Sequence, residues 1–192
     1  MEILSRKKNF AEQVCGGLDN FLLMRNEAFW LAYIDFFTSD SGKRFSQMIN
    51  EKNKRLNSSD VSSRVLNNWD KSGLLDAQRP EGKGWRKFSS MDIIWLKLVS
   101  ELRKFGLPLD KIQKSRKMLT LGDSFEHSTN KYSEYPLLEF YVAKAFSNRV
   151  PCFILVFENG SAQPVSETQF KLGTHLQLFG NCIRINLNGI LQ

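Results

Sequence analysis

The stretch that most narrows what this chain can become is residues 61 to 89, VSSRVLNNWDKSGLLDAQRPEGKGWRKFS. Ser62 or Ser63 can cap a short helix, because a hydroxyl at that point satisfies one of the free N–H groups of the first turn. Val65, Leu66 and Trp69 fall at helical spacing and are expected to face inward. Gly73 is well placed to end the helix in a left-handed conformation, which costs glycine least. Leu74 and Leu75 then turn back to the core. Residues 76 to 88 read as a hairpin whose tip is Pro80 to Gly84. Ser89 to Asp92 is a capping box opening a strong helix, with Ile94, Leu98 and Leu102 on one side and Trp95 and Val99 beside them.

Charge decides what such a unit can meet. The formal net charge is +7, but it is not spread evenly. Residues 51 to 120 hold sixteen Lys/Arg against eight Asp/Glu, whereas the segments on either side are close to neutral. A basic excess confined to the middle third is the footprint of polyanion binding. With the apolar side of the short helix turned inward, Ser62, Ser63, Arg64, Asn67, Asn68 and Lys71 are left for its outer side. Asn can bond adenine in two places and Arg guanine in two places, each pair giving about 1–3 kcal/mol of discrimination. Ser62 and Ser63, at a helix N-terminus, suit a phosphate. Arg79, Lys83, Arg86 and Lys87 on the hairpin can neutralise phosphates or enter a minor groove, and Trp85 reads as a packing residue of the hairpin. Arg103 and Lys104, near the end of their helix, either touch a nucleic-acid backbone or favour the helix dipole.

The rest of the chain reads as support around this unit. Residues 7 to 38 are helical by pattern, with Asn26 able to cap a second helix carrying Phe29, Trp30, Tyr33, Ile34 and Phe37 on one wide apolar stripe. That stripe suits either a layer packed on the central unit or a dimer interface. Thr38 to Gly42 is a hinge by composition, followed by a helix from about Ser46 to Lys54 with Met48, Ile49 and Phe45 inward. Pro108 suits the first turn of a helix whose inner face is Leu109, Ile112 and Leu119, while Lys111, Lys114, Arg116 and Lys117 crowd its outer face. After a polar stretch, residues 134 to 147 form an amphipathic helix with Leu137, Leu138, Tyr141, Val142 and Ala145 inward. Cys152 to Phe157 reads as a buried strand and Glu158 to Ser161 as a turn. Gln163 to Thr168, His175 to Phe179 and Cys182 to Leu187 complete the strand expectations.

Chemistry of other kinds finds little footing. Cys15, Cys152 and Cys182 are odd in number and far apart, which argues against a disulfide framework and suits a reducing compartment. They read as buried structural thiols. His127 and His175 stand in no metal-like or triad-like spacing, and no glycine-rich phosphate loop follows a strand. No enzyme activity, cofactor or metal is expected. The N-terminus does not read as a signal peptide, and the most apolar run, Ala28 to Phe37, is too short to span a bilayer.

Residues 45 to about 119 resemble the winged helix-turn-helix domain of the MerR family of bacterial transcription regulators. The resemblance rests on Val61-Ser62 through Leu66, Trp69 and Gly73-Leu74-Leu75. It continues in Arg79 with Gly84-Trp85-Arg86-Lys87-Phe88, in Ser89, Asp92, Ile93 and Leu96, and in Leu102-Arg103, Gly106, Leu109 and Ile112. Residues 1 to 44 precede it, and the helical pattern stops near Leu119 to Gly122, where the family's long dimerisation helix would continue. The expected fold is mainly α with a small β component. It comprises an N-terminal helical segment (1–44, support or dimerisation), the winged helix-turn-helix domain (45–120) and a small C-terminal α/β unit of open role (121–192). The resemblance implies a cytoplasmic, nucleoid-associated regulator of transcription. Its expected partners are double-stranded DNA, a second copy in a homodimer, and RNA polymerase at a promoter, with no membrane. An excisionase-like factor that bends DNA during recombination, or a basic protein-interaction module, would use the same residues.

Overall fold

The computed structural model describes residues 27–56, 61–75, 86–120, 136–147 and 150–192. The expected helix over residues 7 to 26 and its Asn26 cap lie outside them, as do the hairpin tip and the polar stretch after Gly122. Eight helices and three strands are described: α1 Glu27–Thr38, α2 Asp40–Asn50, α3 Ser63–Lys71, α4 Ser90–Lys104, α5 Leu109–Leu119 and α6 Pro136–Ser147, then β1 Cys152–Phe157, β2 Ala162–Ser166, α7 Glu167–His175, β3 Cys182–Asn186 and α8 Leu187–Ile190. The fold is mainly α with a small antiparallel sheet of order β2-β1-β3. No helix among the described residues is long and apolar enough to cross a membrane.

The hinge expected over Thr38 to Gly42 is a corner only one residue wide. Ser39 leaves helical geometry and its hydroxyl accepts from the amide of Gly42 at 3.3 Å. A side chain at position 42 would sit 1.6 Å from the carbonyl oxygen of Phe36, so the corner closes only around glycine. With Ser39 as cap and Asp40 in the first turn, α2 starts six residues earlier than the composition suggested. It also ends sooner, at Asn50, because the chain turns extended to pair Lys54 with Phe88. Ile49 is buried and Phe45 half-buried, but Met48 is exposed.

Helix α4 is the axis of the core. Met91, Trp95, Leu98, Val99 and Leu102 are all but inaccessible, and each such burial removes on the order of 1.5–3 kcal/mol of apolar exposure from water. The aromatic stripe of α1 is largely spent inside the chain. Phe29 and Tyr33 are buried, with ring centroids 5.5 and 5.4 Å from that of Phe140 on α6. Phe36 meets the same ring at 5.8 Å, while Ile34 faces solvent.

The C-terminal unit is a three-stranded sheet with one face against helices. Strand β1 is central, pairing Ile154 with Pro164 of β2 and with Ile185 of β3. Alternation sends Cys152, Ile154 and Val156 into the shared core with Leu138 and Tyr141 of α6. The expected strand over His175 to Phe179 is not formed. Ser166 and Gln169 make a reciprocal capping box that opens α7, and that helix runs through His175. The other face of the sheet is covered in part by aromatic rings from this helix and the loop after it. Phe170 lies 5.5 Å from Phe153 and 6.0 Å from Phe179, with the Arg184 guanidinium over the first two rings.

Candidate nucleic-acid interface

Helix α3 carries the candidate site, and its start is fixed locally. Ser62 is the N-cap; its hydroxyl accepts from the amide of Val65 at 3.4 Å. Trp69 is buried and Leu66 half-buried, so they hold the inner face. At about 100° per residue, Arg64, Asn67, Asn68 and Lys71 fall within about 100° of arc, opposite Trp69. All four are exposed, as is Ser63. Val65 departs from expectation: it is 37% exposed, not buried. Its position lies only about 40° from Trp69 around the helix, on the edge of the apolar stripe that stays open to solvent.

The far end of α3 is held by three side-chain donors. Gly73 takes φ +66°, which releases the chain from the helix. The carbonyls left free at this end would otherwise lack partners. The Gln113 amide donates to the carbonyl of Ser72 at 2.8 Å, the Arg116 guanidinium to that of Gly73 at 3.3 Å, and the Trp95 indole to that of Leu74 at 2.8 Å. Two of these donors come from α5 and one from α4. The pose of α3 is therefore set by helices that come later in the chain. Sequence reasoning missed all three, because a polar side chain on an amphipathic helix carries no mark of which distant carbonyl it will meet.

Arg86 has a different job from the one expected of it. Its guanidinium donates to Asp70 at 2.6 Å and to Asn67 at 3.1 Å, and its side chain is only 12% exposed. Asn67 and Asp70 lie three residues apart, one turn of α3, and together offer two acceptors. Arg86 is thus a strap between the segment leading into Phe88 and α3 rather than a free cation. The signal was present: Asp70 is the one acid on an otherwise basic and polar helix. The next residue, Lys87, is exposed. Phe88 is buried and exchanges two backbone hydrogen bonds of 2.9 Å with Lys54, so Lys87 stands between that bridge and the Arg86 strap to α3. Ser89 and Asp92 form the expected capping box.

Arg103 is exposed, but its guanidinium donates to the carbonyl of Leu107 at 2.8 Å and so braces the turn after α4. Lys104 pairs with Glu101 at 2.6 Å on the surface. Arg79, Lys83 and Trp85 lie outside the described residues. Cys152 is buried, and burial pushes its thiol up to about 11; burial also raises the half-buried Cys182. Among the described residues, no group of three or more His, Cys, Asp or Glu is arranged to hold a metal ion.

Residues 57–119 match the family model described as MerR HTH family regulatory protein. The MerR match covers the cap of α3, the strap at Arg86, and α4 and α5 with their donors to the end of α3. It supports a DNA-binding transcription regulator, since MerR-family regulators bind double-stranded DNA. Helices α1 and α2 and everything after α5 lie outside the MerR segment. No curated protein and no solved structure matches the chain.

Proposed function

We propose that α3 is the recognition helix of a sequence-specific regulator of transcription, lying in the major groove of duplex DNA. The observation that carries this reading is the arc of Arg64, Asn67, Asn68 and Lys71. These are exposed polar side chains on one side of a helix whose other side is buried and whose two ends are fixed. Arg64 and Asn68 are the base-reading residues, since a guanidinium matches guanine and a carboxamide matches adenine. Asn67 shares its carbonyl oxygen with Arg86 and is held in place for the same task. Lys71, Lys87 and the hairpin's Arg79 and Lys83 act on phosphates, with Ser62 and Ser63 at the positive end of the helix.

On this reading the chain has three parts: residues 1–44, the DNA-binding domain at 45–120, and residues 121–192. Two copies bind one site, and RNA polymerase is met at a promoter. The test is footprinting of the full chain on genomic fragments, with Arg64→Ala and Asn68→Ala beside the unaltered protein. A single palindromic promoter site is expected, with each variant relaxing preference at one base position by about 1–3 kcal/mol. Equal affinity for unrelated duplexes would refute the reading. Direct repeats at a recombination site would instead point to an architectural factor.

A further inference from the structure

Helix α5 holds the end of α3 on one side, and on another it is itself held by an element from outside the MerR match. The turn between β1 and β2 lies directly on it. Gly160 has φ +81°, and a side chain there would stand 2.9 Å from both the Cα and the carbonyl oxygen of Lys111. Ser115, on the next turn of α5, is fully buried, with its hydroxyl 2.9 Å from the carbonyl of Gly160 and 3.1 Å from that of Lys111. The Lys114 ammonium donates to the carbonyl of Asn159 at 3.1 Å. This is backbone against backbone with no room to slide. Position 160 accepts only glycine, for reasons both of φ and of space.

We propose that this turn is a positioning element for DNA recognition: Gly160 and Ser115 set where α5 lies, and α5 sets where α3 ends. The chain of contact is short and physical. The turn seats Lys111 and Ser115, and the same helix presents Gln113 and Arg116 to the carbonyls of Ser72 and Gly73. Displacing α5 from the turn side withdraws both donors from the cap and the residue that close the end of the recognition helix. Gly160 and Ser115 are positioning residues that act at a distance from the groove. The C-terminal sheet is therefore part of the DNA-reading apparatus, and the inference rests on the reading of α3 as the recognition helix.

The test uses the full chain with Gly160→Ala, Ser115→Ala and, as comparator, Asn188→Ala. Asn188 bonds the amide of Cys152 and the carbonyls of Ala145 and Val150, all within the C-terminal unit. Amide exchange is read at Ser72, Gly73 and Leu74, whose N–H groups close the end of α3. Affinity for the footprinted duplex is read beside it. Gly160→Ala is expected to speed exchange at those three amides and to weaken DNA binding about fivefold or more, with Ser115→Ala moving both in the same direction. Asn188→Ala, compared at equal distance from its melting temperature, is expected to move neither. Exchange at residues 72–74 that rises no more in the two turn variants than in Asn188→Ala would overturn the proposal. So would unchanged affinity beside faster exchange. Should Gly160→Ala fail to fold, Ser115→Ala decides alone. Faster exchange in a protein that binds no duplex at all would leave the mechanical link standing and sink the DNA reading instead.

Discussion

Arg86 and Asp70 make a sharp case, because the sequence assigns Arg86 to phosphate and the structure assigns it to Asp70. The pair is 2.6 Å long, with side chains 12% and 30% exposed, and the same guanidinium also reaches Asn67. A fully exposed pair contributes about 0–1 kcal/mol and breaking a fully buried one costs about 3–5 kcal/mol. This geometry lies between, so a double-mutant cycle with Arg86→Ala and Asp70→Ala should give a coupling of about 1–2 kcal/mol in denaturant unfolding. DNA binding supplies the second half. Removing both members takes away one positive and one negative charge, so the salt slope of the double variant should equal that of the unaltered protein. Lys87→Ala, which removes an exposed lysine, should flatten that slope by about 0.9. Fluorescence anisotropy across a salt series reads both. A coupling near zero, or a double variant whose slope falls as far as that of Lys87→Ala, would show that Arg86 leaves Asp70 to grip the backbone.

Other expectations can be checked on the same material. Ser62→Ala removes the N-cap of α3 and should cost about 0.5–1 kcal/mol in denaturant unfolding, the lower range because the bond is long at 3.4 Å, whereas Ser63→Ala should stay within about 0.5 kcal/mol of zero. Gly73→Ala forces a side chain to φ +66° and to 2.9 Å from the Gln113 amide, so a loss of at least about 1–2 kcal/mol is expected; Gly180→Ala, where nothing lies within 4 Å and φ is ordinary, should be near neutral. Cys152 should resist alkylation at pH 8 until the protein unfolds. Its thiol titrates near 11 when folded and lower when unfolded, so the folded state keeps the proton longer, and stability should decline as pH rises from about 9 toward 11. Cys152→Ala should flatten that decline in melting temperature.

How far the sequence could be read depends on how local each cause is. The caps at Ser62, Ser89 and Gly73 involve neighbours three or four residues apart, and they stand where their residue types indicate. The inner faces of α4 and α6 were equally legible, because their apolar residues repeat at helical spacing over more than two turns. His175 to Phe179 failed for the opposite reason. HLQLF alternates like a strand, but α7, opened by the Ser166 and Gln169 capping box, takes in His175, and the chain leaves it through a turn at Leu176 and Gln177, the latter at φ +56°, so no extended run forms. Met48 and Val65 failed through orientation: a small rotation of a packed helix about its axis turns the residues at the edge of its apolar stripe to solvent.

The contacts that give α3 its pose belong to neither group, and they explain why the site was harder to read than the fold. Trp95, Gln113 and Arg116 are each ordinary in their own helices: one core aromatic and two residues of a basic outer face. They gain their role because α4 and α5 return to the same three carbonyls, 21 to 43 residues away in the chain. Backbone acceptors at a helix end are the same in every sequence, so no pattern of residue types distinguishes the ones that will be met. The same reasoning applies one step further out. Gly160 reads as a turn glycine in Glu158 to Ser161, and only the fold reveals that the turn is seated on α5. A helix that must read bases cannot be allowed to drift by an ångström, so its supports have to reach carbonyls that a sliding or rotating helix would abandon. Here those supports come in layers, from the C-terminal turn to α5 and from α5 to the end of α3. Each layer adds hydrogen bonds to backbone, which report position, to apolar contacts, which tolerate sliding.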